Sequence, residues 1–413
     1  MKTVGIIAEY NPFHNGHAFQ LKKAREMAGA DYAIVIMSGN FVQRGLPAIM
    51  EKSLRTEAAL LCGADLVIEL PVHYATASAE YFASGAVSLL DRLGITDALC
   101  FGSECGDIVA LAELADAFLS EDELFRAALK KRLKEGCSYP QARNDALLET
   151  APELVPLLPL LSQPNNILGL EYIKALKRRK SHIRPCTVVR MGADYHSGEL
   201  NGAFSSALSI REAMAAKKEL HTIKEQIPPA VHALMKRHFQ KDFPVFSEDL
   251  SPLLAYKLLQ EEAPDFNRYF DIDSAFSDRL KKCLPDYGDY ASFCEKLKTK
   301  NRTLTGVSRG LLHILLNIYQ ADIDAFRQDD YVYYARILGF RKEAVPLLSA
   351  IKSKSNLPLL SKLADAEDSI PSENGRKMLR QDIQASHIYA LSVSHKFHRD
   401  FRNEYRNSPV IMP

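Results

Sequence analysis

The sequence predicts an α/β fold, a Rossmann-like parallel sheet followed by a mainly helical domain. Three observations carry this. In the first half of the chain, short apolar runs rich in β-branched side chains alternate with stretches of helical period, as βαβ units require. Those runs end on glycine, serine, asparagine or proline, residues that turn a chain out of a sheet. Beyond Ala216 the alternation stops, and helical periods follow one another through short polar turns. Two domains are therefore expected, residues 1–216 and 217–413.

The first strand holds Val4, Ile6 and Ile7. A polar turn containing Pro12 runs from Glu9 to Gly16, and a helix follows with Ala18, Leu21, Lys22 and Arg25. Asp31 to Met37 is a second strand ending at Ser38-Gly39-Asn40. Ala64 to Leu70 is a third, stopped by Pro71, and Asp97 to Phe101 a fourth, closing on Gly102-Ser103-Glu104. Helical periods at Glu51–Cys62 and Ala79–Leu93 separate them. Ligands of parallel sheets gather outside the C-terminal strand ends. That puts the turn before His17, Ser38–Asn40 and Gly102–Glu104 on one rim. A helical run from Asp107 to Thr150 and a proline-rich stretch lead to Asn165-Asn166 and a helix from Ile167 to Arg179. Ile183 to Met191 is the fifth strand, with Arg190 at its C-terminal end and Gly192 to His196 after it.

Composition narrows the function classes. Lys and Arg number 52 against 51 Asp and Glu, a net charge of +1, so a polyanion must be met by a local patch rather than a global field. The 7 cysteines form no regular framework, which points to a reducing compartment. Cys100 and Cys105 have no second pair or histidine at zinc-site spacing, so no metal site is expected. The N-terminal residues lack the pattern of a signal peptide, and no stretch has the ~18 to 20 apolar residues that span a bilayer. A soluble, cytoplasmic protein with no membrane partner is expected.

The chemistry concentrates in the strand end, turn and first helical turn: Ile7, Ala8, Glu9, Tyr10, Asn11, Pro12, Phe13, His14, Asn15, Gly16, His17, Ala18, Phe19 and Gln20. Two imidazoles beside the free backbone N–H groups of a helix start make an anion site. Gly16, lacking a Cβ, allows phosphate to come close to the backbone. A buried structural pair is the other meaning such histidines can have; the strand before and the helix after favour phosphate. His14-Asn15-Gly16-His17 resembles the HxGH signature of the nucleotidyltransferase superfamily. The wider string EYNPFHNGH is similar to the tRNA(Met) cytidine acetate ligase family.

The resemblance implies an ATP pocket over Ile7 to Gln20, with His14 and His17 holding the phosphates and stabilising charge on the α-phosphate. Ser206, Ser209 and Arg211 fit the superfamily's second signature, of the form SxTxIR, which grips the β- and γ-phosphates; Ser209 stands where threonine is more usual. By the same resemblance Gly102, Asn165, Asn166 and Arg190 join the pocket. One of the two asparagines caps the helix and the other contacts ATP; the sequence leaves open which. The string SGNFVQRGLP is also similar to the family's. Its Gln43 and Arg44, with Lys52 and Arg55 beyond, form either a solvated loop or a phosphate or RNA contact.

The activity implied is ATP-dependent activation of acetate to acetyl-adenylate, with Mg²⁺ accompanying ATP. Acetyl then passes to N4 of the wobble cytidine 34 of elongator tRNA(Met), forming N4-acetylcytidine. His14, His17 and Arg211 would be catalytic. The tRNA would be met in the second half, where Arg302, Arg309 and Arg336 stand among aromatics that can stack on unpaired bases. Tyr331 to Phe340 alternates there like a strand. The basic, aromatic C-terminal stretch after Gly375 is either an arm that grips tRNA or a tail. A small-molecule adenylyltransferase of the same superfamily is the alternative; it leaves that basic, aromatic half without a purpose.

Overall fold

The structure is a computed structural model describing residues 1–120, 123–137, 139–191, 202–217, 219–261 and 265–413. Its strands are β1 (Thr3–Ala8), β2 (Tyr32–Ser38), β3 (Phe41–Val42), β4 (Leu46–Pro47), β5 (Leu66–Leu70), β6 (Ala98–Ser103), β7 (Arg184–Val189), β8 (Ala335–Arg341), β9 (Leu359–Leu360) and β10 (Val410–Met412). β3 and β4 pair as a separate antiparallel hairpin. The others form one sheet in the order β10-β8-β5-β2-β1-β6-β7, with β9 beside β8. β1, β2, β5, β6 and β7 are mutually parallel, as predicted for the five strands of the first half.

The strand order locates the crevice. From β1 the chain moves outward to β2 and β5, then returns to the other side of β1 for β6 and β7. Connections leaving β1 and β6 therefore diverge, and the sheet opens at their C-terminal ends. Helices cover both faces, because side chains alternate along each buried strand. Ile7, Ile34, Ile36 and Ile68 pack on one face, and Val4, Ile6, Val35 and Val67 on the other. The helices Ser251–Leu259, Ser274–Cys283, Tyr290–Leu297 and Leu304–Leu316 share a third core.

Residues 217–413 do more than add helices. After the helix Gln320–Gln328 the chain returns to the sheet, and β8 lies antiparallel to β5. The 25-residue helix Glu373–Phe397 follows, and β10 then pairs with β8 at the very end. The C-terminal stretch is thus docked along its length, with Lys396 on Asp249 and Arg399 on Asp242.

A buried ionic cluster ties this return to the first half. Lys52 Nζ lies 2.7 Å from Glu69 Oε1 and 2.6 Å from Glu404 Oε1. Arg336 reaches Glu69 at 3.0 Å and Glu404 at 2.6 Å. None of the four is more than 6% exposed. Burial alone pushes the Glu404 carboxyl up, but Lys52 and Arg336 overcome it and hold it at about 2. Arg336 is therefore a core residue rather than part of an RNA-facing patch, and its sequence-based assignment to tRNA is corrected. Lys52 and Arg55 are likewise internal. Arg55 donates to the carbonyls of Ser38 at 3.0 Å and Met50 at 2.9 Å, fastening the strand ends.

Arg336→Met keeps the bulk but leaves two buried carboxylates facing Lys52 alone. Removing one partner of a buried ionic group costs roughly 3 to 5 kcal/mol. Urea unfolding should show a loss of that order, while the folded variant binds tRNA as the parent does across a salt titration.

Candidate active site

β1 delivers the chain to a loop whose aromatics form a floor. Tyr10 has a φ of 50° and is buried, with its ring centroid 4.7 Å from Phe13 and 4.9 Å from His17. Asn11 Oδ1 accepts from Ile49 N at 2.8 Å, and Asn11 O accepts from Arg211 Nη1 at 2.6 Å. The loop is thereby held from both sides before the histidines begin.

His14 caps the helix Asn15–Ala28. Its Nδ1 accepts from Gly16 N at 3.1 Å, and His17 Nδ1 accepts from His14 N at 3.2 Å. A backbone N–H can only donate, so both Nδ1 atoms are unprotonated acceptors. The neutral rings then carry their protons on Nε2. The rings stack at 3.7 Å, inclined by 25°. Burial, then Arg190 and Arg211, lower His14 to about 3. His17 is held well below its ordinary value by burial, His14 and Arg190. A Cβ on Gly16 would lie 2.9 Å from His14 Cε1, so glycine is what lets the ring close over the helix start.

The opposite wall comes from β6, β7 and the helices Pro164–Arg178 and Ala207–Lys217. Glu104 caps the first of these: its carboxylate accepts from Asn165 N at 3.2 Å and Asn166 N at 2.8 Å. Asn166 answers, its Oδ1 accepting from Glu104 N at 3.0 Å and Cys105 N at 3.1 Å. Asn165 instead faces the cleft, where its Oδ1 accepts from Arg190 Nη1 at 3.4 Å. The expectation that one asparagine caps the helix is corrected: Gln163 stands at the cap and Glu104 accepts from the first turn, while Asn166 holds the Glu104 loop and Asn165 lines the cleft. Ser206 Oγ caps the helix Ala207–Lys217 by accepting from Ser209 N at 3.1 Å. Ser209 is buried, and its hydroxyl turns back to Ser206 O at 2.9 Å. Burial lowers the Arg211 guanidinium to about 10, against the pull of Glu9.

Two adjoining hollows, of about 170 and 190 Å³, make the cleft. Both are lined by His14, His17, Gln20, Gly102, Arg190 and Ser206. Gly16 and Phe19 line the first; Ile7, Ala8, Glu9, Asn165 and Arg211 line the second. Gln43 and Arg44 also reach the second cavity, so the SGNFVQRGLP hairpin presents two of its polar side chains to the site. Tyr10, Pro12, Phe13, Asn15, Ala18, Asn166 and Ser209 line neither hollow. Asn11 borders a neighbouring hollow with Glu9 and Arg211. Asn15 is a tether, donating to Ala203 O at 2.9 Å and Glu225 O at 2.8 Å. Gly192 to His196 fall outside the described residues.

Sequence reasoning overlooked Glu104 as a cap, and Phe82, Phe101, Leu168 and Tyr172 as lining. The signal existed for two of them: Leu168 and Tyr172 follow Asn165 at the spacing of one helix face. The basic patch of the second half is tempered by carboxylates. Arg302 Nη2 lies 2.6 Å from Asp273, and Arg309 Nε lies 2.9 Å from Asp271. Among the described residues no helix is long and apolar enough to cross a membrane.

Buried His14 and half-buried His17 make stability depend on pH with a definite sign. Below about pH 6.5 the unfolded chain takes up protons that native His14 refuses. Stability should therefore fall between pH 7 and 5, by up to about 1.4 kcal/mol per pH unit for each such group. Urea midpoints at the two pH values should show a smaller drop for His14→Asn than for the parent. In the same assay at pH 7, Asn166→Ala should lose more stability than Asn165→Ala, having orphaned two backbone donors.

A family model described as HIGH Nucleotidyl Transferase matches residues 1–404. A tRNA(Met) cytidine acetate ligase of Acetivibrio thermocellus is 40% identical over 417 residues, covering 100% of each chain. One from Thermoanaerobacter sp. is 40% identical over 393 residues, 95% of this chain and 96% of the relative. The crystal structure of Thermotoga maritima TmcAL in its apo form aligns with a TM-score of 0.94, and that bound with alpha-thio ATP with 0.92. Each is 31% identical and covered over 100% of both chains. By full-length similarity, by fold and by the two signatures facing one cleft, the chain belongs to the HIGH nucleotidyl transferases and, among them, to the tRNA(Met) cytidine acetate ligase family.

Proposed function

We propose that the protein activates acetate with ATP and transfers the acetyl group to N4 of cytidine 34 of elongator tRNA(Met). The observation that supports this most is the pair of Nε2–H groups on His14 and His17, set in one cleft with Arg190, Ser206 and Arg211. Donors fixed by their own helix need no reorganisation when charge builds on a phosphoryl oxygen.

In the first step an acetate oxygen attacks the α-phosphorus, the bond to the bridging oxygen breaks and pyrophosphate leaves. His14 and His17 donate to the non-bridging oxygens. Arg190, Arg211 and the Ser206 hydroxyl receive the departing phosphates. Among the described residues no cluster of carboxylates, imidazoles or thiols is built to hold a metal ion, so Mg²⁺ would be held by the nucleotide itself and would share the charge of its phosphates. In the second step the exocyclic amine of an unpaired cytidine attacks the acetyl carbonyl. AMP leaves and the nitrogen gives up a proton. The base must be splayed out to be reached, which suits an anticodon loop. Residues 217–413 supply the RNA-binding part, with Arg302 and Arg309 exchanging Asp273 and Asp271 for phosphates.

Incubation with ATP, radiolabelled acetate and bulk tRNA tests the reading: label should enter tRNA. Label that never reaches tRNA, with ATP still bound, would point to the small-molecule adenylyltransferase. His17→Ala should slow acetate activation by ~10² or more while tRNA binding persists. Replacing Arg302 and Arg309 with alanine should weaken tRNA binding and flatten its salt dependence.

A further inference from the structure

The cleft forks at the histidine pair. One branch runs along Val188, Met191 and Phe204. The other has Ile7, Phe82, Phe101, Leu168 and Tyr172 as its floor, and Gln43, Arg44 and Arg211 among its polar lining. Phe82, Phe101 and Tyr172 are each no more than 3% exposed, so this floor is apolar, fixed side chain rather than mobile surface. Tyr172 packs its ring 5.6 Å from Phe101.

The Tyr172 hydroxyl has no hydrogen-bond partner among the described residues, although the residue is 2% exposed and lines the cavity. The hydroxyl is not sealed in the core but opens onto the cavity, where it is free to donate to a ligand acceptor. Burial, reinforced by Glu9, raises its acidity constant well above the ordinary tyrosine value, so the group stays protonated and can only gain by donating.

A site that joins a small acid to a phosphoryl group has three needs. One carboxylate oxygen must face the phosphorus, the other needs a donor, and the alkyl end needs a dry wall of limited depth. We propose that the branch floored by Phe82 and Phe101 is the acyl pocket, in which Tyr172 donates to the carboxylate of the acid and the two phenyl rings set the chain length accepted. This rests on the function proposed above and adds to it the residues that choose the acid. The positive charges of Arg44 and Arg211 at the same branch offset Glu9, so a carboxylate enters without net repulsion.

The test is acid-dependent exchange of pyrophosphate into ATP, which needs no tRNA, with formate, acetate, propionate and butyrate. Tyr172→Phe preserves volume and removes only the hydroxyl. It should raise the acetate KM about 10-fold or more while leaving the ATP KM unchanged. Phe82→Leu should shift preference towards propionate or butyrate by about 10-fold, the scale set by one methylene in an apolar pocket. Melting curves and ATP binding confirm that each variant folds; should Phe82→Leu fail to fold, Tyr172→Phe decides. An unchanged acetate KM in Tyr172→Phe, or a defect confined to transfer onto tRNA, overturns the proposal and assigns the branch to the cytosine. If no acid drives exchange in the parent although ATP binds, the functional reading itself fails.

Discussion

The reciprocal capping of His14 and His17 is the constraint on which the site depends. Each imidazole spends its Nδ1 on a backbone N–H at the start of the helix Asn15–Ala28, one at 3.1 Å and the other at 3.2 Å. The tautomer follows from it, since the remaining nitrogen must hold the proton. Neutrality follows too, because stacking at 3.7 Å, with His14 buried and His17 half-buried, disfavours charge on either ring. Phe13 and Tyr10 support the pair from below, and Arg211 fixes the loop carbonyl of Asn11. The signature is thus a helix cap and a donor array at once.

A second constraint decides where the cleft sits relative to the C-terminal half. The β3–β4 hairpin touches both. Gln43 N donates to Glu9 Oε1 at 2.9 Å on the cleft side. On the far side Gly45 O accepts from Tyr290 at 3.0 Å and Ser308 at 2.9 Å. Gly45 has a φ of 73°, and a Cβ there would fall 2.4 Å from Arg309 N, so no other residue fits between hairpin and helix. The buried quartet of Lys52, Glu69, Arg336 and Glu404 closes the same junction from the sheet edge. A movement of the helix Leu304–Leu316, which carries Arg309 and follows the turn of Arg302, would be felt at Glu9 through one two-stranded turn. Burial of ionic groups is weak as a source of net stability but strict about geometry, which suits a joint that must hold two halves in register.

Much of this was legible from local pattern. Periodicity placed the five parallel strands and their C-terminal rim, because a doubly covered strand must be apolar throughout and must end in turn residues. The histidine pair was legible as an anion site because two imidazoles stand at a helix start, whereas Arg190 was picked out by its strand-end position and, like the Ser206–Arg211 segment, by the family resemblance. Long-range partners were not. Arg336 looked like part of an RNA patch because its neighbours are tyrosines; only the fold brings Glu69 and Glu404 to it. Asn165 and Asn166 looked interchangeable until Glu104, 61 and 62 positions away, took one role from each. The docked C-terminal strand could not be told from a loose arm, since three residues of β10 carry no period of their own.

The two histidines present neutral Nε2–H donors to the cleft, and the proposed chemistry depends on it. Two-bond nitrogen–proton correlation NMR on protein labelled with ¹⁵N-histidine, assigned with His14→Asn and His17→Ala, reads this directly. Both rings should show the Nε2–H tautomer at pH 7 and stay uncharged down to pH 5. Resonances of an Nδ1–H tautomer, or of imidazolium, at either position would contradict the account.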